Sequence, residues 1–144
     1  MIVVAIIGLM AAIGLPSIIT AMQKKGMRKA LSDITQVCQT ARANAIIHNQ
    51  TESVIFHPQE RSFSAEGGAA ARSGLVSSSE LPDGVQFAML DINHKDFGAT
   101  DGRVFFYPDG TSDEMTIVLA DRGDMRKMTL EFATGLMTVS DVDK

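Results

Sequence analysis

The order of apolar and polar positions divides the chain into three stretches. Residues 1–22, MIVVAIIGLMAAIGLPSIITAM, carry no Asp, Glu, Lys, Arg or His. As a helix they reach roughly 33 Å, enough for a bilayer core of about 30 Å. A helix that is apolar all round needs lipid or other helices around it. The stretch therefore predicts a transmembrane or filament-core helix. A cleavable secretory signal would want a basic segment before the apolar run and an A-x-A-like cleavage site. Residues 1–22 show neither, so a retained anchor is expected. Pro16 lies inside the run, two residues after Gly14. A mid-helix proline costs about 3 kcal/mol or more in water, yet membrane helices tolerate it as a kink. Residues 14–17 are where this helix is expected to bend or unwind.

Past residue 22 the helical period continues but becomes amphipathic. Met27, Leu31, Ile34, Cys38, Ala41 and Ala45 recur at three- and four-residue steps, and Ala30, Val37 and Ile46 widen the face. Lys29, Asp33, Gln36, Gln39, Arg42 and Asn49 take much of the remainder. This pattern predicts a half-buried helix over residues 23–48. Gly26 has no loop-forming neighbours, so one helix of about 50 residues is expected.

After Asn49 the period drops to two. Residues 53–57 read as a strand stopped by Pro58, with residues 61–65 as its hairpin partner. Glycine, alanine and serine dominate residues 65–79, which predicts a flexible surface loop. Leu81-Pro82-Asp83-Gly84 turns into a strand near residues 85–90, and residues 91–102 read as irregular. Residues 103–107 form a strand turned by Pro108-Asp109-Gly110. Met115, Ile117 and Leu119, then Met128, Leu130 and Phe132, alternate with more polar neighbours, and residues 136–139 close the series. Such short links predict an antiparallel meander, with Phe132 facing inward. One helix face and one sheet bury each other as a two-layer α+β domain over residues 23–144.

Composition sharpens this picture. About 120 residues follow the anchor, enough for one domain. All charge lies after Met22, with a net charge of −4. A mildly acidic domain is a poor nucleic-acid binder, since such binding rests on cations that neutralise phosphates. The basic cluster Lys24, Lys25, Arg28 and Lys29 reads as a set of headgroup-level anchors. The single cysteine, Cys38, excludes an internal disulfide and reads as a small buried apolar residue.

With these elements in place, MIVVAIIGLMAAIGLPSI closely resembles the N-terminal helix of type IV pilins and type II secretion pseudopilins. ARANAIIHNQTESVIF and VFFYPDGTSDEMTIVL resemble the GspH/FimT branch, in which a helix leads into a first strand and an F-x-P-x-G turn joins late strands. Here that turn is Phe106, Pro108 and Gly110. The resemblance implies a long N-terminal helix packed on an antiparallel sheet. It implies a non-catalytic minor pseudopilin that assembles with other pilin or pseudopilin subunits into a filament driving protein export. A minor type IV pilin acting in pilus assembly, adhesion or DNA uptake is the alternative. Before assembly the helix would lie in inner-membrane lipid, with the C-terminal domain in the periplasm. Family chains begin at a methylated phenylalanine, before which a prepilin peptidase cuts off an upstream leader, and a glutamate follows a few residues later; this sequence starts inside the apolar helix, so the processing site and that glutamate are not in it, and a trimmed chain or a start placed too late is expected. Ala5, Gly8, Ala11, Ala12, Gly14 and Pro16 are the candidate assembly residues, because small side chains let helices approach closely.

Candidate chemistry is sparse. His48, His57 and His94 lack metal-ligand spacing. Asp91, Asn93, Asp96 and Asp101 only weakly resemble a calcium loop, without the glycine and terminal glutamate of an EF-hand. No nucleophile elbow or phosphate-cradling loop is present. No catalytic residue, metal site or cofactor is assigned. A basic patch or aromatic groove on the domain would favour a displayed binding module, and a buried His/Asp/Ser cluster would favour a tethered enzyme.

Overall fold

Where the apolar period is helical, the backbone is helical without interruption. The computed structural model describes residues 2–68 and 78–142, with side chains described at 3–5, 24–68 and 78–142. Helix α1 (Ile2–His48) runs for 47 residues, through Gly14 and Pro16. It ends at Asn49, whose φ of 52° is left-handed, and Gln50 N–H then bonds the Ala45 carbonyl at 3.2 Å. That is the usual asparagine variant of a helix stop. Among the described residues no helix is long and apolar enough to cross a membrane. The span expected over residues 1–22 falls mostly on side chains outside the described set.

The strands are β1 (Glu52–His57), β2 (Ser62–Gly67), β3 (Ser78–Glu80), β4 (Gln86–Ile92), β5 (Lys95–Asp96), β6 (Gly102–Phe106), β7 (Met115–Asp121), β8 (Asp124–Leu130) and β9 (Met137–Asp141). All pairings are antiparallel, but they form two sheets, not the single one expected. One has the order β3-β2-β1-β6 and the other β5-β4-β7-β8-β9. Strands β1-β2-β3 and β7-β8-β9 each run as a meander, but the two are in different sheets. Strand β6 leaves its sequence neighbour β7 and pairs with β1, setting Val54 opposite Val104. Gly102 permits the junction: a Cβ there would lie 2.7 Å from Leu90 and 2.8 Å from Ile92 of β4.

The helix joins both sheets. Met27, Ala30, Ile34, Val37, Cys38, Ala41 and Ala45 enter one core with Val54, Phe56, Phe63, Val104, Phe106, Met115, Ile117, Leu119, Met128 and Leu130. Phe56 packs edge-on against Phe87 and tilted against Phe63, each at 6.1 Å between ring centroids. These are favourable aromatic geometries.

Four expectations are corrected. Phe132 is 59 % exposed, because β8 ends at Leu130 and the chain turns on the Gly135 N–H to Glu131 carbonyl bond of 2.8 Å. Ile46 is 44 % exposed, one position past Ala45 and off the buried stripe. Residues 91–102 are not wholly irregular, since β5 pairs with the end of β4. The 65–79 loop is shorter than expected: Ala65 and Glu66 belong to β2, and Ser78 and Ser79 to β3. Its remaining centre, residues 69–77, lies outside the described residues.

Large-to-small changes should separate these environments. Phe56→Ala removes a fully buried ring and should cost about 3–5 kcal/mol, whereas Phe132→Ala should cost less than about 1 kcal/mol. Urea titration of the full chain in detergent micelles, followed by near-ultraviolet circular dichroism, measures both.

Candidate assembly interface

The expected assembly residues all lie on α1. Val3 and Val4 are 67 % and 70 % exposed, and Ala5 is exposed beside them. This chain's own domain therefore does not cover the start of the helix. The helix backbone continues through Gly8, Ala11, Ala12, Gly14 and Pro16, whose side-chain surroundings lie outside the described residues.

The turn residues are resolved in detail. Phe106 is fully buried and bridges to Ser112. Between them, Tyr107 N–H bonds the Thr111 carbonyl at 2.9 Å, and Gly110 N–H bonds the Tyr107 carbonyl at 3.0 Å. Pro108 opens the turn, and Gly110 closes it with φ at 88°, a conformation that strains any residue with a Cβ. The Asp109 carboxylate accepts bonds from the Thr111 hydroxyl at 2.7 Å and the Thr111 N–H at 3.0 Å. The hydroxyl, then the amide, hold its pKa below the usual carboxylate range.

Arg42 fastens this turn to the helix. Its Nε donates to the Gly110 carbonyl at 3.0 Å. The same side chain lies along the next turn, where a Cβ on Gly135 would fall 2.7 Å from its Cδ and Nε. Ser112 N–H joins the two turns by bonding the Phe132 carbonyl at 3.1 Å. One arginine thus locks α1 to both turns at this end of the domain. Sequence reasoning placed Arg42 on the polar helix face and gave it no role. Its partner lies 68 positions away, and no local spacing marks the pair.

The remaining candidate groups are dispersed. His48 Nδ1 lies 3.0 Å from the Asn44 carbonyl, His57 Nδ1 2.9 Å from Asp101, and His94 Nε2 3.4 Å from Glu114. Asn93 accepts the Glu114 N–H at 3.1 Å, and Asp96 accepts the Gly98 N–H at 2.8 Å. Asp101 thus faces β1 while Asp96 folds back on its own turn. Among the described residues no three His, Cys, Asp or Glu side chains gather to hold a metal ion. Cys38 is 2 % exposed, and burial pushes its thiol up to about 12. Two buried polar atoms lack a partner among the described residues, Ser112 Oγ and Asp121 Oδ1. They lie in different parts of the fold, at the Arg42-held turn and at the end of β7.

A helix whose second half is buried against antiparallel sheets, while its first residues stay uncovered, defines an α+β fold. Comparison with solved structures finds this fold in the minor pseudopilin EpsH from the type 2 secretion system of Vibrio cholerae. The match has a TM-score of 0.58 and 16 % sequence identity, and it covers 81 % of this chain and 96 % of that one. No protein-family model and no curated sequence matches the chain. At that identity the likeness establishes the fold.

Two predictions follow from this geometry. Arg42→Ala should cost about 1.5–3 kcal/mol, the range for a hydrogen bond to a charged donor. It should speed amide exchange in residues 107–112 and 131–136 first, read by hydrogen–deuterium exchange. Cys38 should resist iodoacetamide in the native chain at pH 8 and react fully in denaturant, since only the thiolate attacks. Mass spectrometry of both samples checks this.

Proposed function

We propose that the chain is a non-catalytic minor pseudopilin subunit of a type II secretion system. It assembles with other pilin or pseudopilin subunits through α1 into a periplasmic, pilus-like filament. One observation carries the reading. A single helix joins an uncharged stretch of 22 residues to a domain with the fold of EpsH.

The mechanism is assembly. Before extraction, residues 1–22 are solvated by inner-membrane lipid, and the domain stands in the periplasm. In the filament the same surface packs against equivalent helices. Ala5, Gly8, Ala11, Ala12 and Gly14 let backbones approach, as small residues do in membrane helix pairs. Pro16 lacks an N–H, so the turn from Gly14 onward is the cheapest to unwind. A prepilin peptidase is a further partner, acting before assembly. The turn of Phe106, Pro108 and Gly110, braced by Arg42, holds the domain at a set angle on the helix. Residues 65–79 contribute to the choice of neighbouring subunit.

A charge at the centre of the apolar stretch tests this directly. It costs at least about 2.5–3.5 kcal/mol in lipid. Gly8→Asp should abolish recovery of the subunit in the sheared or membrane-extracted filament fraction, while the domain stays folded. Exchanging residues 69–77 for a Gly/Ser linker should leave membrane insertion intact. Normal incorporation of Gly8→Asp would reduce the helix to a tether and remove the proposed mechanism.

A further inference from the structure

The cations of this domain are unevenly neutralised. Lys29 bonds Asp33, Arg103 meets Glu66, Arg61 lies near Asp83, Arg42 holds the Gly110 carbonyl, and Lys95 stands over Phe97. Lys24, Lys25, Arg28, Arg122 and Lys127 meet no carboxylate of a described residue. Three of them sit on α1 just past the apolar stretch. The other two belong to the β7–β8 hairpin, far away in sequence.

The fold sets the first group beside the hairpin that carries the second. Lys24, Met27, Arg28 and Leu31 form one wall of a groove of about 200 Å³, and Asp124 and Arg126 form the other. Arg126 is already neutralised, by Asp124 at 3.5 Å and by Asp141. Lys24 and Arg28 make no ion pair of their own there, so cations outnumber carboxylates around the groove. Arg122 occupies the hairpin tip, where it and Gly123 take φ of 46° and 97°. Met125, 47 % exposed, places an apolar side chain on the same hairpin.

We propose that this groove and hairpin tip are a docking surface for anionic phospholipid headgroups. Lys24 and Arg28 hold a headgroup phosphate between them, Arg122 and Lys127 add to the attracting field, and Met125 enters the interfacial layer. The inference rests on the reading of residues 1–22 as membrane-embedded before assembly. One observation selects lipid over nucleic acid, the other polyanion such a surface meets. The groove begins two residues past the apolar stretch, a helical rise of about 3 Å, and so lies at headgroup level. Docked in this way, the domain does not swing freely about α1. It rests hairpin-end down on the leaflet, and extraction into a filament must release it.

The test uses the full chain with Met125→Cys, spin-labelled at that position while buried Cys38 stays unlabelled. The protein is reconstituted into vesicles of phosphatidylglycerol with phosphatidylethanolamine, or of phosphatidylcholine alone. Each cation near an anionic surface strengthens association about fivefold. Accessibility of the label to a water-soluble relaxation agent should accordingly fall about fivefold on the anionic vesicles. The fall should reverse in about 1 M salt, where the Debye length is about 3 Å. It should also vanish in the double variant Lys24→Gln with Arg28→Gln, which alters only exposed side chains and keeps the native circular dichroism. Equal accessibility on both vesicle types in an inserted chain overturns the docking surface. Protection by added duplex DNA on phosphatidylcholine vesicles assigns the groove to nucleic acid and overturns it as well. Failure of the chain to float with either vesicle removes the membrane reading itself, and the docking with it.

Discussion

The stripe of small and medium side chains along the second half of α1 is the contact on which the rest of the fold depends. Ala30, Ala41 and Ala45 let strands approach the helix axis closely, while Met27, Ile34 and Val37 fill the spaces between them. Two sheets share this stripe. Among the described residues α1 is the helix that packs on them, and an uncovered sheet face would leave Phe56, Phe106 and Leu119 in water. Burying such side chains contributes about 1.5–3 kcal/mol each. The helix is thus both the covering layer of the domain and a continuous extension beyond it. A displacement of the helix along its axis would disturb both sheets at once, so the core ties the domain rigidly to the extension.

The sequence revealed those features that depend on local period. The helix to His48, the positions of most strands and the burial of Cys38 follow from spacings of 3.6 and 2 residues. Features that depend on partners were hidden. Alternation shows which face of a strand is buried, but not which strand lies beside it. Hence the split into two sheets, with β6 beside β1, was invisible. Phe132 continues the alternation of Met128 and Leu130, but the turn at Glu131 ends the strand before the period can apply. Ser78 and Ser79 look like loop residues and still pair with Ser64 and Phe63, because an edge strand needs only backbone groups. Arg42 was missed for the same reason, since its partner is a carbonyl rather than a side chain of opposite charge.

The proposed interface divides in the same way. Ala5, Gly8, Ala11, Ala12 and Gly14 were chosen for size, which a sequence displays directly. The resemblance marked Phe106, Pro108 and Gly110, and the geometry gives each a reason. Phe106 anchors the strand in the core, Pro108 presets the turn, and Gly110 takes a φ of 88° that brings its carbonyl to Arg42. Conversely, the link between the basic cluster of α1 and the β7–β8 hairpin arises only from folding, because residues 24–31 and 122–127 share no local pattern.

Charge and shape now point in one direction. Cations elsewhere on the domain are mostly matched by a carboxylate or a ring, which gains little in water but removes long-range attraction to anions. The unmatched ones gather where α1 leaves the sheets, and the braced turn of Arg42 holds another region of the domain. An arrangement of this kind gives the domain a polarity along the helix. One part is set by short-range hydrogen bonds that survive any change of surroundings. The other is set by unpaired charge, whose contribution depends on what lies opposite it. If α1 exchanges lipid for neighbouring helices as proposed, the braced part would keep its geometry, while the charged part would lose the headgroups and be free to meet acidic side chains. On the proposed function the same residues would then favour the membrane before extraction and a correctly placed neighbour after it, without any rearrangement of the core.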